Sequence, residues 1–195
     1  MDKIQLKGHF VLKMLNKDNK VIDKIEDKNL IMDLSREQMA RLLGGVNNSN
    51  IIDKLVLGTK GHKGDDILTP KQVGEDGFTS DRTQLFSEET GDFHYIVPFD
   101  VRSDELITTV NVTNAYPSTD NTKQENVTVE RNVDNRFVKY TFNVPAESAN
   151  KGDGTAVAYT EAALYAGTSI FSMKCFSAKV KDETEAMEIE WTIIF

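Results

Sequence analysis

Gly58-Thr59-Lys60-Gly61-His62-Lys63-Gly64 sets glycines among cations, the composition of a phosphate-holding loop. Backbone amides left open by glycine, together with a helix N-terminus, are what cradle a phosphate. A P-loop, however, requires G-x-x-x-x-G-K-[ST] between a strand and a helix. Here Lys63 is followed by Gly64 and then by Asp65-Asp66, whose charge repels phosphate, so the segment reads as a flexible loop. His9, His62 and His94 are scattered, with none at the i, i+4 spacing that puts two ligands on one helix face, and metal ligation is not expected from them. The acids of Asp65-Asp66, Glu75-Asp76 and Asp153 lack the regular oxygen spacing of a calcium loop and read as solvated charge. Cys175 is the only cysteine. It forms no intramolecular disulfide, and its apolar setting, Ile170-Phe171-Ser172-Met173-Lys174-Cys175-Phe176, reads as a buried small hydrophobe. Neither G-x-S-x-G nor a Cys–His pairing occurs, and no carboxylate pair is singled out. One acid has a distinctive address: Glu161 lies between Thr160 and an apolar run. It is expected to pair with a cation or to cap backbone amides rather than to catalyse. No catalytic, cofactor-binding or metal-binding residue is assigned, and no cofactor is expected.

The bulk composition narrows the class. In 195 residues, 39% hydrophobic and 28% charged, the chain can bury a real core. A formal charge of −8 opposes a primary role in binding nucleic acid, which needs a basic surface. Nothing approaches the ~18 consecutive apolar residues of a spanning helix, and Met1-Asp2-Lys3-Ile4-Gln5 opens without an apolar leader, so neither membrane nor secretion is expected. The sequons at Asn47, Asn111 and Asn126 are accordingly read as chance, and the chain as a cytosolic product.

The elements that would position any site are mostly strands. Residues 3–15 and Val21 to Ile25 flank Asn16-Lys17-Asp18-Asn19-Lys20 and predict a hairpin. Residues 35–43 predict a helix, with Ser35 as N-cap, Gln38 completing a capping box, Met39, Leu42 and Leu43 as the apolar stripe, and Gly44-Gly45 as the stop. Ile51 to Leu57 predicts a strand. Residues 58–92, rich in Gly, Asp, Glu, Lys and Thr, predict a long loop or arm, with a weak strand over Thr83 to Phe86. Phe93, Tyr95, Val97, Phe99 and Val101 alternate as a strand, with Pro98 marking an edge or a bulge. Leu106 to Val112 predicts another, followed by polar loop 114–125. Val127 to Val133 and Phe137 to Val144 predict a hairpin with a two-residue turn at Asp134-Asn135, though without glycine. Loop 148–155 precedes strands near 157–165, 170–176 and 186–195. In the last, Met187, Ile189, Trp191, Ile193 and Phe195 alternate with Glu188, Glu190 and Thr192, so the whole strand through Phe195 is expected to be packed. Eight to ten strands and one helix give a mainly β chain, an antiparallel β-sandwich or jelly-roll-like single domain over 1–195 with an arm at about 58–92.

The order of several short motifs adds a resemblance. Asn29-Leu30-Ile31, then Ala40-Arg41-Leu42-Leu43-Gly44-Gly45, then Leu57-Gly58-Thr59-Lys60-Gly61 occupy the first third. Thr160-Glu161-Ala162-Ala163-Leu164-Tyr165 and Glu190-Trp191-Thr192-Ile193-Ile194-Phe195 occupy the last. In this the chain resembles small virion structural proteins of tailed bacteriophages, with Ala163 where those proteins carry glycine; residues 65–150 contribute nothing to the likeness. The resemblance implies a non-enzymatic component of the neck, tail or baseplate, assembled in the host cytoplasm as a homo-oligomer among other virion proteins. It also implies assembly or packing roles for Glu161, Leu164, Tyr165, Trp191, Ile193 and Phe195. A head decoration or fibre-anchoring role is the near alternative. A carbohydrate- or receptor-binding β-sandwich is the next, which would need an exposed aromatic platform drawn from Tyr95, Tyr116 and Tyr140. A hydrolase using carboxylates is the third.

Overall fold

Hairpin chemistry opens the chain as expected. In the computed structural model, Asn16 Oδ1 accepts the backbone N–H groups of Asp18 and Lys20, both at 3.0 Å, and Asn19 takes a left-handed φ of 57°. Asn suits both tasks because its amide mimics the backbone and its short side chain tolerates that region. The structure describes residues 6–44, 51–103, 105–112, 114–117, 125–151, 153 and 155–195. The start of the first predicted strand at 3–5, Gly45 of the helix stop, the Asn47 sequon, 118–124 of the polar loop, and Gly152 and Gly154 lie outside these, as do the side chains of Leu42 and Leu43.

The described elements run β1 (Lys7–Leu15), β2 (Val21–Ile31), α1 (Asp33–Leu43), β3 (Ile52–Gly58), β4 (His62–Lys63), β5 (Asp66–Pro70), α2 (Phe86–Thr90) and β6 (His94–Pro98). They continue β7 (Ile107–Val112), β8 (Glu125–Asn132), β9 (Phe137–Val144), β10 (Val157–Ala166), β11 (Ser169–Lys181) and β12 (Ala186–Ile194). The chain is mainly β and antiparallel, with two short helices rather than one. It divides into two compact units, the first within 1–29, 99–157 and 180–195, the second within 30–98 and 158–179.

In the first unit, β2, β1, β12, β9, β8 and β7 pair in that order, every pair antiparallel. The period-2 pattern sorts the faces. Phe10, Leu12 and Met14 of β1 face the core with Met187, Ile189, Trp191 and Ile193 of β12, joined by Phe142 and Val144 of β9 and by Val127 and Val129 of β8. Trp191 meets Phe10 edge-on with centroids 4.9 Å apart. On the other face Lys13 Nζ reaches Glu188 at 2.6 Å and Glu190 at 2.5 Å, which raises the ammonium's pKa and lowers that of Glu190.

Three expectations are corrected here. The β8–β9 connection is a four-residue turn, Val133 to Arg136, rather than two residues. Without glycine, the chain turns by placing Arg136 at φ 55° and by giving the Asn135 N–H to Asn132 Oδ1 at 2.8 Å. Phe195 is not packed but 44% exposed. Its N–H donates to Arg136 O at 2.9 Å, and the β12–β9 register ends one residue earlier, at the Ile194–Phe137 pair. The third correction concerns the α1 cap. The helix begins at Asp33, and Ser35 lies inside it, fully buried, with Oγ donating to Phe171 O at 2.5 Å. Among the described side chains of α1, Ser35 and Gln38 are buried and Met39 is half-buried.

The second unit orders β6, β3, β10 and β11, with β11 reaching Leu30 and Ile31 at the end of β2. Pro98 pairs Lys54 at the end of β6, the edge strand, where a missing N–H is harmless. Segment 58–92 carries the β4–β5 ribbon and α2, and the weak strand expected over Thr83 to Phe86 does not form, the backbone being irregular to Leu85 and helical from Phe86. Phe78, Leu85 and Phe86 from this segment are buried in one cluster with Met32, Val56 and Tyr165. Arg82 lies 3.7 Å over the Phe86 ring and Lys71 lies 4.7 Å over it, so the aromatic fixes two cations at the same point.

One buried cation in the first unit destabilises it. Lys181 is fully buried and gives Nζ to the Asp182 carbonyl at 3.0 Å, with no carboxylate in ion-pair range among the described residues. Desolvation lowers its pKa to about 8, against partial support from Asp182, Glu185 and Glu125. A folded pKa below the unfolded value means that charging the folded amine costs stability below about pH 8, and that this cost is relieved between there and the unfolded value near 10.5. Lys181→Met is therefore expected to raise stability at pH 7 by ~1–3 kcal/mol. Urea unfolding of both proteins at pH 7 and pH 10 should show the gap narrowing at the higher pH.

Candidate functional site

The glycine-rich loop and Glu161 meet in the second unit. Glu161 on β10 pairs across the ladder with Gly58 at the end of β3. The bare glycine is required, since a Cβ there would stand 2.5 Å from Glu161 Oε1. The carboxylate then accepts from Phe86 N at 3.0 Å, Ser87 N at 2.8 Å, Ser87 Oγ at 2.6 Å and Lys60 N at 3.3 Å. Ser87 Oγ itself accepts Thr59 N at 2.6 Å and Lys60 N at 3.1 Å, and Gly61 N donates to Thr160 Oγ1 at 2.9 Å. Gly61 admits this approach for the same steric reason, a Cβ there falling 2.4 Å from the Thr160 carbonyl oxygen.

The first amides of the loop that resembles a phosphate cradle are thus taken by the protein's own acceptors, Lys60 N by the Glu161 carboxylate and the Thr59 and Gly61 amides by the Ser87 and Thr160 hydroxyls. Glu161 acts as the N-cap of α2 from a strand remote in sequence, because Leu85, at the cap position, has no side-chain acceptor. Glu88 accepts the Leu85 N–H at 2.9 Å, and Tyr165 completes the knot, its hydroxyl accepting the same N–H at 3.0 Å and donating to Glu88. Burial pushes the Glu161 carboxyl's pKa up, opposed by the hydrogen bonds from Ser87, Phe86 and Lys60. With three protein donors on Oε1, one on Oε2 and the side chain fully buried, the arrangement locks the loop and α2 to β10. This is the amide-capping role expected of Glu161.

Of the other residues singled out in the sequence, Leu164 and Tyr165 are buried in the second unit, and Trp191 and Ile193 in the first. Among the histidines, His9 Nε2 faces Glu26 at 3.3 Å in the first unit, and His94 Nδ1 lies 3.0 Å from Asp92 O in the second. Burial raises the pKa of the Cys175 thiol, which sits in the second unit's core. The tyrosine platform does not assemble. Tyr95 is fully buried, Tyr140 stacks on Phe142 with centroids 6.5 Å apart, and only Tyr116 of the three is well exposed.

The first unit carries features that the sequence reading missed. A cavity of about 390 Å³ opens at one end of its sheet, where the β1–β2 turn, the end of β9 and the start of β12 meet. Asn16, Asn19, Asn126 and Asn143 present amides to it, Lys17 and Thr184 join them, and Leu15, Val144, Pro145 and Met187 supply apolar walls. Asn126 and Asn143 face each other across β8 and β9, and Asn143 Nδ2 donates to Asn126 Oδ1 at 2.7 Å. At the opposite end of the same sheet, Leu106, Ile107, Val133, Ile194 and Phe195 are all more than a third exposed. The register collects them there: Ile107 pairs Glu130, Asn132 pairs Phe137, and Phe137 pairs Ile194. The amides left no sequence signal, being spread over three loops and strands. Helix α2 did leave one, since Glu88-Glu89 followed by Gly91 is an acidic first turn with a glycine stop.

No protein-family model, curated protein or solved structure matches the chain.

Proposed function

We propose that this chain is a non-enzymatic structural subunit of a tailed-phage virion, assembling as a homo-oligomer with other virion proteins in the neck, tail or baseplate region. The observation that carries the assembly part is the apolar end of the first unit's sheet. Single exposed apolar residues are ordinary, but five large ones gathered at one end of one sheet are what an interface core supplies. The β4–β5 ribbon adds a second contact element, with Ile67 and Leu68 exposed on a strand pair that has no third partner among the described residues. The edge strand β7 adds a third. Ile107-Thr108-Thr109-Val110-Asn111-Val112 holds no charge and no proline to deter pairing, whereas β2 carries Asp23, Lys24, Glu26, Asp27 and Lys28. The phage assignment itself rests on the order of the terminal motifs.

Immunogold electron microscopy of purified particles of the phage encoding the chain tests this reading. Label at neck, tail or baseplate is the expected result, and label spread over the head moves the role to decoration. Absence of label from both intact and disrupted particles would sink it. Leu106→Glu/Val133→Glu should also shift the purified protein toward monomer in light scattering, without lowering its melting temperature.

A further inference from the structure

We infer that the amide-lined cavity of the first unit is a binding site for a short neutral oligosaccharide. The cavity's volume falls in the ~300–1,000 Å³ range of small-ligand sites. Its chemistry narrows the ligand. Among the described residues no Asp or Glu lines it, so it has nothing to hold a metal ion or an organic cation. Lys17 is its single charge, on a chain of net charge −8, which is too little to hold a multiply charged anion.

What remains are groups that both donate and accept. The Asn126–Asn143 hydrogen bond engages one amide nitrogen and one amide oxygen, so the Asn126 NH₂ and the Asn143 carbonyl oxygen take no part in it and stand on neighbouring strands. Adjacent strands are ~4.8 Å apart, which lets such a donor–acceptor couple address two neighbouring hydroxyls of one sugar ring. Asn16 is fixed in orientation because its Oδ1 takes two backbone N–H groups, so its amide nitrogen is the end left to donate. Leu15 and Pro145, half-buried in its wall, give the C–H faces of a pyranose an apolar surface. Asn126 and Asn143 also lie in line with Thr128 and Thr141, half-exposed on the same face of β8 and β9, so a chain of sugars can continue along the sheet. Recognition here runs through amides, not through the tyrosine platform that a carbohydrate reading of the sequence required. The inference does not depend on the particle assignment.

Saturation-transfer NMR and titration calorimetry with cellotriose, maltotriose and triacetylchitotriose test it on the full chain. At least one trisaccharide is expected to bind, with affinity falling tenfold or more in Asn126→Ala/Asn143→Ala and unchanged in Val133→Ala, at the opposite end of the sheet. Should the double variant fail to fold, Ala146→Trp fills the cavity from its rim without removing an amide and should abolish binding. Absence of saturation from all three sugars would overturn the inference, as would binding that survives both the double variant and Ala146→Trp. Binding of citrate or inorganic phosphate that depends on Lys17, with no sugar bound, would overturn it in favour of an anion site.

Discussion

Glu161→Ala is expected to destabilise the second unit by ~3–5 kcal/mol, measured by urea unfolding. The carboxylate accepts four hydrogen bonds, from Phe86 N, Ser87 N, Ser87 Oγ and Lys60 N, and its side chain is fully buried. Alanine leaves those donors facing a void, with only Ser87 Oγ free to rotate toward another acceptor. Glu161→Gln should recover part of the loss, since its carbonyl replaces one oxygen, but its NH₂ then opposes a backbone N–H. Hydrogen exchange locates the effect: the amides of Phe86 and Ser87 should lose protection before those of β3 and β10. A loss below ~1 kcal/mol in Glu161→Ala would mean that the carboxylate does not hold the loop and α2, and would reopen a functional reading of this acid.

Trp191→Ala is expected to cost the first unit a comparable ~3–5 kcal/mol, through lost burial and the cavity left behind. Trp191 is fully buried, packs edge-on against Phe10 and sits opposite Tyr140 in the β12–β9 ladder. Phe195→Ala is the contrast. At 44% exposure, and held by a backbone hydrogen bond that alanine retains, it should change stability by less than ~1 kcal/mol. Its effect should fall instead on self-association, since its ring belongs to the exposed apolar end. Equal losses of melting temperature in the two variants would contradict this division between core and contact residue.

Much of the strand framework was legible because strand periodicity is local. Met187, Ile189, Trp191 and Ile193 announce a buried face within one stretch of chain, and β12 buries them. Tyr95 and Val97 do the same for β6. Asn16 and Asn19 identify a turn because both the hydrogen bonds and the left-handed angle are made within five residues. The errors fall where a residue's partner is distant. Ser35 looks like an N-cap from its neighbours, but its hydroxyl is claimed by Phe171, 136 residues away. Phe195 continues a perfect alternation, yet whether it is covered depends on where β9 begins. Segment 58–92 looks like an arm because its few apolar residues, Phe78, Leu85 and Phe86 among them, are too widely spaced to show a period.

The sequence alone therefore determined the mainly β antiparallel class, most strand positions and the distinctive address of Glu161 beside an apolar run. Each of these rests on residue type and short-range spacing, which the chain carries wherever it goes. Tertiary structure alone decided which donors Glu161 satisfies, that amides from three separate segments share one cavity, and that five apolar side chains gather at one end of a sheet. The physical reason is common to all three. Hydrogen-bonding capacity and apolar surface belong to the residue, but the partner that uses them is set by strand register between segments as far apart as Lys7 and Ile194, and register leaves no mark in local composition.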